Sequence, residues 1–279
     1  MWLVSYRVEN DARAGVQASS GVLDAAQLLG VEAIGVRELI ADDRLGELME
    51  RAAAGGIDPV PDAQLLPPLP DPDKIICIGL NYRSHAAEAG IDPPEHPTFF
   101  AKFRNALAPP GATVDLPAAS EKVDYEAEVA FVVGRRCKDV DPDQALEAIA
   151  GYTLLDDLSA RDLQFATPQW MPGKVFDGSA PCGPAIVTPD EAGPPDAISF
   201  TLDLNGERMQ DASTSDLIFS VAELLARLSS WMTLEPGDIV STGTPSGVGS
   251  VRDPRVWLKP GDEIVISSPT LGELRTSIA

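Results

Sequence analysis

From residue 74 onward the chain is cut into short apolar runs rich in β-branched residues, at 74–78, 129–133, 185–187, 200–204, 238–241 and 263–266. Between them lie turn signals such as Val140-Asp141-Pro142, Leu204-Asn205-Gly206, Glu235-Pro236-Gly237 and Lys259-Pro260-Gly261. Pro removes a backbone donor, and Gly and Asn accept turn conformations, so this rhythm predicts many short strands. Helical patterns are confined to 84–89, where Ser84 can cap, to 142–150, and to 217–229, which follows a Ser-Thr-Ser-Asp run. The expectation is a strand-rich α+β body with a folded-over sheet, not a doubly wound α/β one. The 25 prolines and 23 glycines match the number of turns such a body needs.

The run LLPPLPDPDK, with prolines at 67, 68, 70 and 72, fixes φ and cannot carry a helix. It predicts a connector at 67–73 between a small N-terminal α/β domain, residues 1–66, and a larger body, residues 74–279. In the first part, residues 2–8 read as a strand and residues 23–29 and 36–54 as helices.

Charge and cysteine usage narrow the function. A formal net charge of −22 repels phosphate backbones and anionic lipid surfaces, which excludes nucleic-acid and membrane-surface roles. Two histidines, and three cysteines with no C-x-x-C spacing, exclude zinc fingers and iron–sulfur clusters. Any metal must be held mainly by oxygen, which means Mg²⁺, Mn²⁺ or Ca²⁺. Odd, widely spaced thiols read as reduced. MWLVSYRVEN carries no basic stretch ahead of an apolar run, and no apolar segment approaches the length of a membrane span. The cytoplasm is the expected compartment.

Three segments carry chemistry. Glu126 and Glu128 sit two apart at the start of an apolar run, so an extended backbone puts both on one face. Alone, the pair also fits a solvated strand face. Running into the apolar stretch 129–133 it implies burial, where like charges call for a cation between them. Asp156 and Asp157 follow a second apolar run and, if extended, point to opposite faces, so only one can join the glutamates. Arg161 and Gln164 share a face if the chain then turns helical. After residues 75–78, His85 and Glu88 are three apart on a helical pattern, suiting either a surface pair or a base oriented by a carboxylate. Lys174 follows Gly173. The loop 242–249 is rich in Gly, Thr and Ser, as in an anion-binding turn or an ordinary one, but it lacks the P-loop spacing.

The ordered set IGLNYRSHAAE (78–88), FFAKF (99–103), DYEAEVAFVVG (124–134), GYTLLDDLSARDLQ (151–164), GKVFDGSAPCGP (173–184), LNGERMQDASTSDLIF (204–219) and TLEPGDIVSTGTPSGVG (233–249) resembles the fumarylacetoacetate hydrolase family. The resemblance covers roughly residues 70–279. It implies a rolled mixed β-sheet body, a homodimer, and Mg²⁺ or Mn²⁺ (Ca²⁺ as a substitute) held by Glu126, Glu128 and Asp157. It also implies a His85–Glu88 catalytic dyad with Lys174 beside the reacting group, and substrate contacts from Lys102, Arg161, Gln164 and Thr244. Ile78 stands where one branch of the family has a fourth carboxylate. Asp156 replaces a usual Asn, and Val175 a usual Ser.

The activity implied is hydrolysis of a C–C bond in a 2,4-dioxo acid of the acylpyruvate or fumarylpyruvate type. The alternative is tautomerisation, isomerisation or decarboxylation of oxaloacetate or hydroxyhepta-dienedioate-type 2-oxo acids. A non-catalytic cation-binding protein is the remote alternative, and no D-x-D-x-D-G loop supports it.

Overall fold

A computed structural model describes residues 1–279. Its centre is a mixed ten-stranded sheet. The strand Ala127–Val133 is buried at every position and lies between Ile149–Asp156 and Ile239–Ser241, antiparallel to both. A strand covered on both faces needs a continuous apolar run, and AEVAFVV supplies one with a single charge, Glu128, near its start. Ile239–Ser241 then pairs in parallel with Ile75–Gly79, and Thr98–Lys102 closes that edge.

On the other side, Ile149–Asp156 pairs with Ala180–Val187, which pairs through Trp2 and Leu3 with the strand Trp2–Val8. The three N-terminal strands, Trp2–Val8, Asp11–Ala18 and Gly21–Asp24, thus extend the central sheet, and residues 74–279 supply its remainder. A second sheet of five strands is built around Ser199–Leu204 and Glu263–Ser268. Ser199–Leu204 and Glu263–Ser268 alternate buried with less buried positions, as strands with one dry face must. The whole is the strand-rich α+β architecture that the turn rhythm predicts.

Several helices differ in extent from expectation. Residues 21–24 are a strand, because Val22 and Leu23 pair with Gln17 and Val16, and the helix Ala25–Leu29 starts after Asp24 caps it. The 36–54 stretch splits into Val36–Ala41 and Leu45–Ala54 around Asp43, whose φ is 55°. Residues 142–150 hold only Pro142–Ala145 and a turn of 3₁₀ helix before Ile149 enters the sheet. The helix expected over 217–229 is Val221–Trp231. Ser220, not the earlier Ser-Thr-Ser-Asp run, forms its capping box with Glu223. Ser84 is not a cap: the helix Arg83–Ala89 starts one residue earlier, and Asp216 accepts the Ser84 N–H at 2.9 Å. The strands Asp11–Ala18, Thr98–Lys102, Glu207–Ser213 and Gly272–Ile278 were not legible as apolar runs.

Candidate active site

Where Ala127–Val133 begins, the chain brings Glu126, Glu128 and Asp157 together. One carboxylate oxygen from each lies within 4.8 Å of the others, and all three residues are buried. Glu126 and Glu128 reach this point from one face of an extended segment. Asp157 arrives from the end of Ile149–Asp156, pinned by its N–H donating to the Glu126 carbonyl at 2.9 Å. Asp156 points away, its Oδ1 accepting from the Glu126 N–H at 3.0 Å. The opposite-face expectation for the two aspartates holds.

Cations surround the three carboxylates. Lys174 Nζ donates to Glu126 Oε2 at 2.6 Å and to Asp157 Oδ2 at 2.8 Å, and sits 4.8 Å from the centre of the Phe100 ring. Arg161 Nη2 donates to Glu126 Oε1 at 2.7 Å, its Nε to Asp124 at 2.9 Å and its Nη1 to Gln164 Oε1 at 3.0 Å. The guanidinium is thereby committed within the protein. Lys102 Nζ lies 2.8 Å from Asp157 Oδ1, but its protons serve the carbonyls of Leu158, Lys174 and Ser179, and it stands behind Asp157, outside the cavity lining. In this position Lys102 supports the Asp157 carboxylate and the Lys174 backbone.

Electrostatics within the cluster are uneven. Burial alone raises the Glu126 carboxyl, but Arg161 and Lys174 outweigh it and hold the group well below the usual carboxylate range. Glu128 has no such cation. Burial, then Asp157 and Glu126, push it well above that range, although Ser241 Oγ and the Gly243 N–H, the latter at 3.1 Å, both donate to its Oε2. Asp157 Oδ1 is buried and receives no directed hydrogen bond. Three converging buried carboxylates, one of them raised by burial and by its two acidic neighbours for want of a cation of its own, are a donor set that fits a hard divalent cation.

A cavity of about 440 Å³ opens on these carboxylates. Arg161, Gln164, Lys174, Thr244 and His85 also line it, with apolar walls from Phe100, Phe165, Trp170, Val251 and Trp257. His85 Nδ1 and Glu88 Oε2 are 3.4 Å apart, and Glu88 Oε1 accepts the Gly247 N–H at 2.9 Å, tying the helix Arg83–Ala89 to the 242–249 loop. Thr244 Oγ1 donates to the Ala127 carbonyl at 3.1 Å and accepts from Gln210 at 2.9 Å. Three of the loop's N–H groups serve protein carboxylates, Gly243 to Glu128, Gly247 to Glu88 and Gly249 to Asp124. Ile78 lines the cavity as expected, whereas Val175 lies outside it.

Sequence reasoning missed Asp124, Ser241, Gln210 and the aromatic wall. Asp124 was within reach, because the alternation that pairs Glu126 with Glu128 includes it two residues earlier.

Residues 74–279 match the family model described as fumarylacetoacetate (FAA) hydrolase C-terminal. The chain belongs to the fumarylacetoacetate hydrolase family. Among family members, a mitochondrial oxaloacetate tautomerase of Bos taurus, FAHD2B, is 40% identical over 229 residues, which are 81% of this chain and 73% of that one. A maleylpyruvate hydrolase from Sphingobium sp. SYK-6, solved in complex with manganese(II) and pyruvate, superposes with a TM-score of 0.82 at 30% identity, covering 100% of this chain and 99% of the other. A 2-hydroxyhepta-2,4-diene-1,7-dioate isomerase from Mycobacterium marinum gives a TM-score of 0.78 at 30% identity, covering 100% and 98%. Hydrolase, isomerase and tautomerase thus all stand among the relatives of this chain. No helix is long and apolar enough to cross a membrane.

Proposed function

We propose that the chain is a divalent-metal-dependent hydrolase that cleaves the C3–C4 bond of a 2,4-dioxo acid to pyruvate and a carboxylic acid. The observation that carries this reading is His85, backed by Glu88, lining the same cavity as the three carboxylates. Mg²⁺ or Mn²⁺, held by Glu126, Glu128 and Asp157, would supply Lewis acidity toward a carbonyl oxygen. The manganese-bound relative is consistent with that assignment.

The chain's own groups do the rest. His85, oriented by Glu88, takes a proton from water, which attacks the C4 carbonyl. As the C3–C4 bond breaks, its electron pair passes to C3, conjugated with the 2-oxo group, and a proton returns there to give pyruvate. Lys174, lying 2.8 Å from Asp157, places positive charge beside the developing enolate, and Arg161 adds more. Gln164 lines the cavity with its amide nitrogen free of protein partners, suited to a substrate oxygen. The aromatic wall gives the acyl group a dry surface.

A second reading, keto–enol exchange of oxaloacetate, is favoured by the 40% identical tautomerases. It needs the same enolate and no water attack. NMR of acetylpyruvate and of oxaloacetate, each incubated with the protein and Mg²⁺, separates the two. Acetate plus pyruvate from acetylpyruvate supports hydrolysis. An inert acetylpyruvate, with accelerated exchange or CO₂ loss from oxaloacetate, overturns it.

A further inference from the structure

Between the strand Ile75–Gly79 and the helix Arg83–Ala89 the chain turns within three residues. Leu80, which lines the cavity, makes the turn in the left-handed region, with a φ of 55°. Leucine rarely holds that conformation unaided, so the surroundings must impose it. His85 sits two residues into the helix that follows, and the elbow therefore decides where its imidazole stands against the carboxylates.

The surroundings are supplied by residues 216–219, which lead from the strand Glu207–Ser213 to the helix Val221–Trp231. They lie antiparallel to residues 81–84, with Leu217 bridged to Tyr82. The Ile218 N–H donates to the Asn81 carbonyl at 2.7 Å, and Arg83 Nη1 donates to the Leu217 carbonyl. Asp216 Oδ2 accepts the Ser84 N–H at 2.9 Å, one of the donors that a helix start leaves free. Tyr82, at the N-cap, offers no side-chain bond of its own.

Asn81 completes the joint. Its side chain is fully buried, with Oδ1 accepting the Phe219 N–H at 2.8 Å and Nδ2 donating to the Phe219 carbonyl at 3.2 Å and to the Thr242 carbonyl at 2.9 Å. Both amide protons and the amide oxygen are thus engaged. One amide joins the elbow to residues 216–219 and to the strand end at 241–243, where Ser241 Oγ and the Gly243 N–H donate to Glu128. The approach is close, since a Cβ on Gly243 would stand 2.8 Å from the Ile78 carbonyl oxygen and 3.2 Å from Asn81 Cβ. Neither Asn81 nor Asp216 lines the cavity.

We propose that Asn81 and Asp216 are positioning residues for the base: they fix the helix Arg83–Ala89 against the carboxylate cluster and so set where His85 meets the attacking water. The inference rests on the reading of His85 as the general base. Loss of either residue falls on proton transfer and spares the metal ligands. Thr242 keeps its own anchorage, its N–H and Oγ1 donating to the Val129 carbonyl at 3.0 and 2.7 Å, so the support of Glu128 does not depend on Asn81.

The test is steady-state hydrolysis of acetylpyruvate by the Mg²⁺-loaded full chain, with calorimetric titration of Mg²⁺ and of pyruvate, in a double-mutant cycle of Asn81→Ala and His85→Ala. Asn81→Ala alone is expected to lower kcat about 10²-fold, the cost of a displacement of about 1 Å, with KM and both affinities within about twofold of the wild type. In the His85→Ala background, assayed at high enzyme concentration, it is expected to change kcat by less than about twofold, because it acts through the imidazole already removed. Asp216→Ala is expected to follow the same pattern with a smaller loss, and Asp216→Asn, which keeps an oxygen for the Ser84 N–H, to recover most of it. This second pair decides the matter if Asn81→Ala does not fold. Unchanged kcat in the folded variants, an equal loss in both backgrounds, or a matching loss of Mg²⁺ affinity overturns the positioning role alone. A His85→Ala variant that turns over normally removes the base reading, and the positioning role with it.

Discussion

Lys174 Nζ donates to Glu126 Oε2 at 2.6 Å, with both side chains buried. The same ammonium reaches Asp157 Oδ2 at 2.8 Å, so one cation holds two of the three carboxylates that face the cavity. Lys174→Met keeps the stem and removes the charge. Removing one partner of a buried ionic network costs about 3–5 kcal/mol, because the remaining charges are left uncompensated. The metal-free variant is therefore expected to melt well below the wild type, with saturating Mg²⁺ recovering a large part of the loss. Turnover of a 2,4-dioxo acid is expected to fall about 10²–10³-fold even with Mg²⁺ bound. Melting curves with and without Mg²⁺, beside steady-state kinetics, check both; a variant that turns over normally shows that the ammonium only stabilises the fold.

His85 and Glu88 separate chemistry from architecture. His85→Ala removes the proposed base without touching the carboxylates, so kcat is expected to fall about 10²–10⁴-fold with Mg²⁺ affinity retained. Glu88→Gln keeps an oxygen able to accept the Gly247 N–H and should cost much less than His85→Ala. If the histidine variant loses Mg²⁺ binding in calorimetry, its effect is structural and the base assignment fails.

Asp156 makes the metal-free protein sensitive to alkali. Burial raises its carboxyl to about 8, with Asp157 and Glu126 adding to the rise and the Glu126 N–H opposing it. Glu128 is raised too, by burial and then by Asp157 and Glu126. An acid that is protonated when folded and ionised when unfolded takes up a proton on folding, so its contribution is present at low pH and lost as pH rises toward the folded value. Glu126 is shifted the other way, and its contribution is lost only in acid, below the ordinary carboxylate range. The metal-free Tm is thus expected to decline from about pH 5 to about pH 8. Asp156→Asn removes one of the two raised acids and should flatten that decline, raising Tm near pH 8 by roughly 3 °C or more. Mg²⁺ should stabilise increasingly as pH rises, because its ligands must be ionised. Scanning calorimetry across this range tests the slope; an apo Tm that climbs toward pH 8 contradicts it.

The legible parts of the molecule were those in which a local pattern has one physical solution. Glu126 and Glu128 could be placed on one face from period-two geometry, and the adjacent apolar run told of burial. The aspartates could be split between faces for the same reason. Illegible were contacts assembled across the sheet: Ser241 and Gly243 reach Glu128 from a strand and loop more than a hundred residues away, and no spacing records that. Lys102 reads as an anion contact from its residue type alone, and its place beside Asp157 is set by where Thr98–Lys102 pairs with Ile75–Gly79, which no local pattern records. Leu23 and Asp24 were read as the start of a helix because so short an apolar stretch fits both periods, and pairing of Gly21–Asp24 with Asp11–Ala18 decided the outcome.

Gly173 shows how the backbone fixes the position of the ammonium. A Cβ placed there would stand 2.4 Å from the Ala160 carbonyl oxygen and 2.5 Å from the Gln164 nitrogen, both backbone atoms of the segment that carries Arg161. No side-chain rotation relieves such contacts, so the two segments must separate. Gly173→Ala is therefore expected to cost about 1–3 kcal/mol of stability, in the manner of an overpacked core. It should also shift Lys174 and Gln164 relative to Glu126, and displacements of about 1 Å can lower turnover about 10²-fold. The informative comparison is kcat in the variant at a temperature where circular dichroism shows it fully folded. Wild-type kcat there means that the close approach of residue 173 to residues 160 and 164 serves stability alone; a large loss means that it sets the geometry of the site.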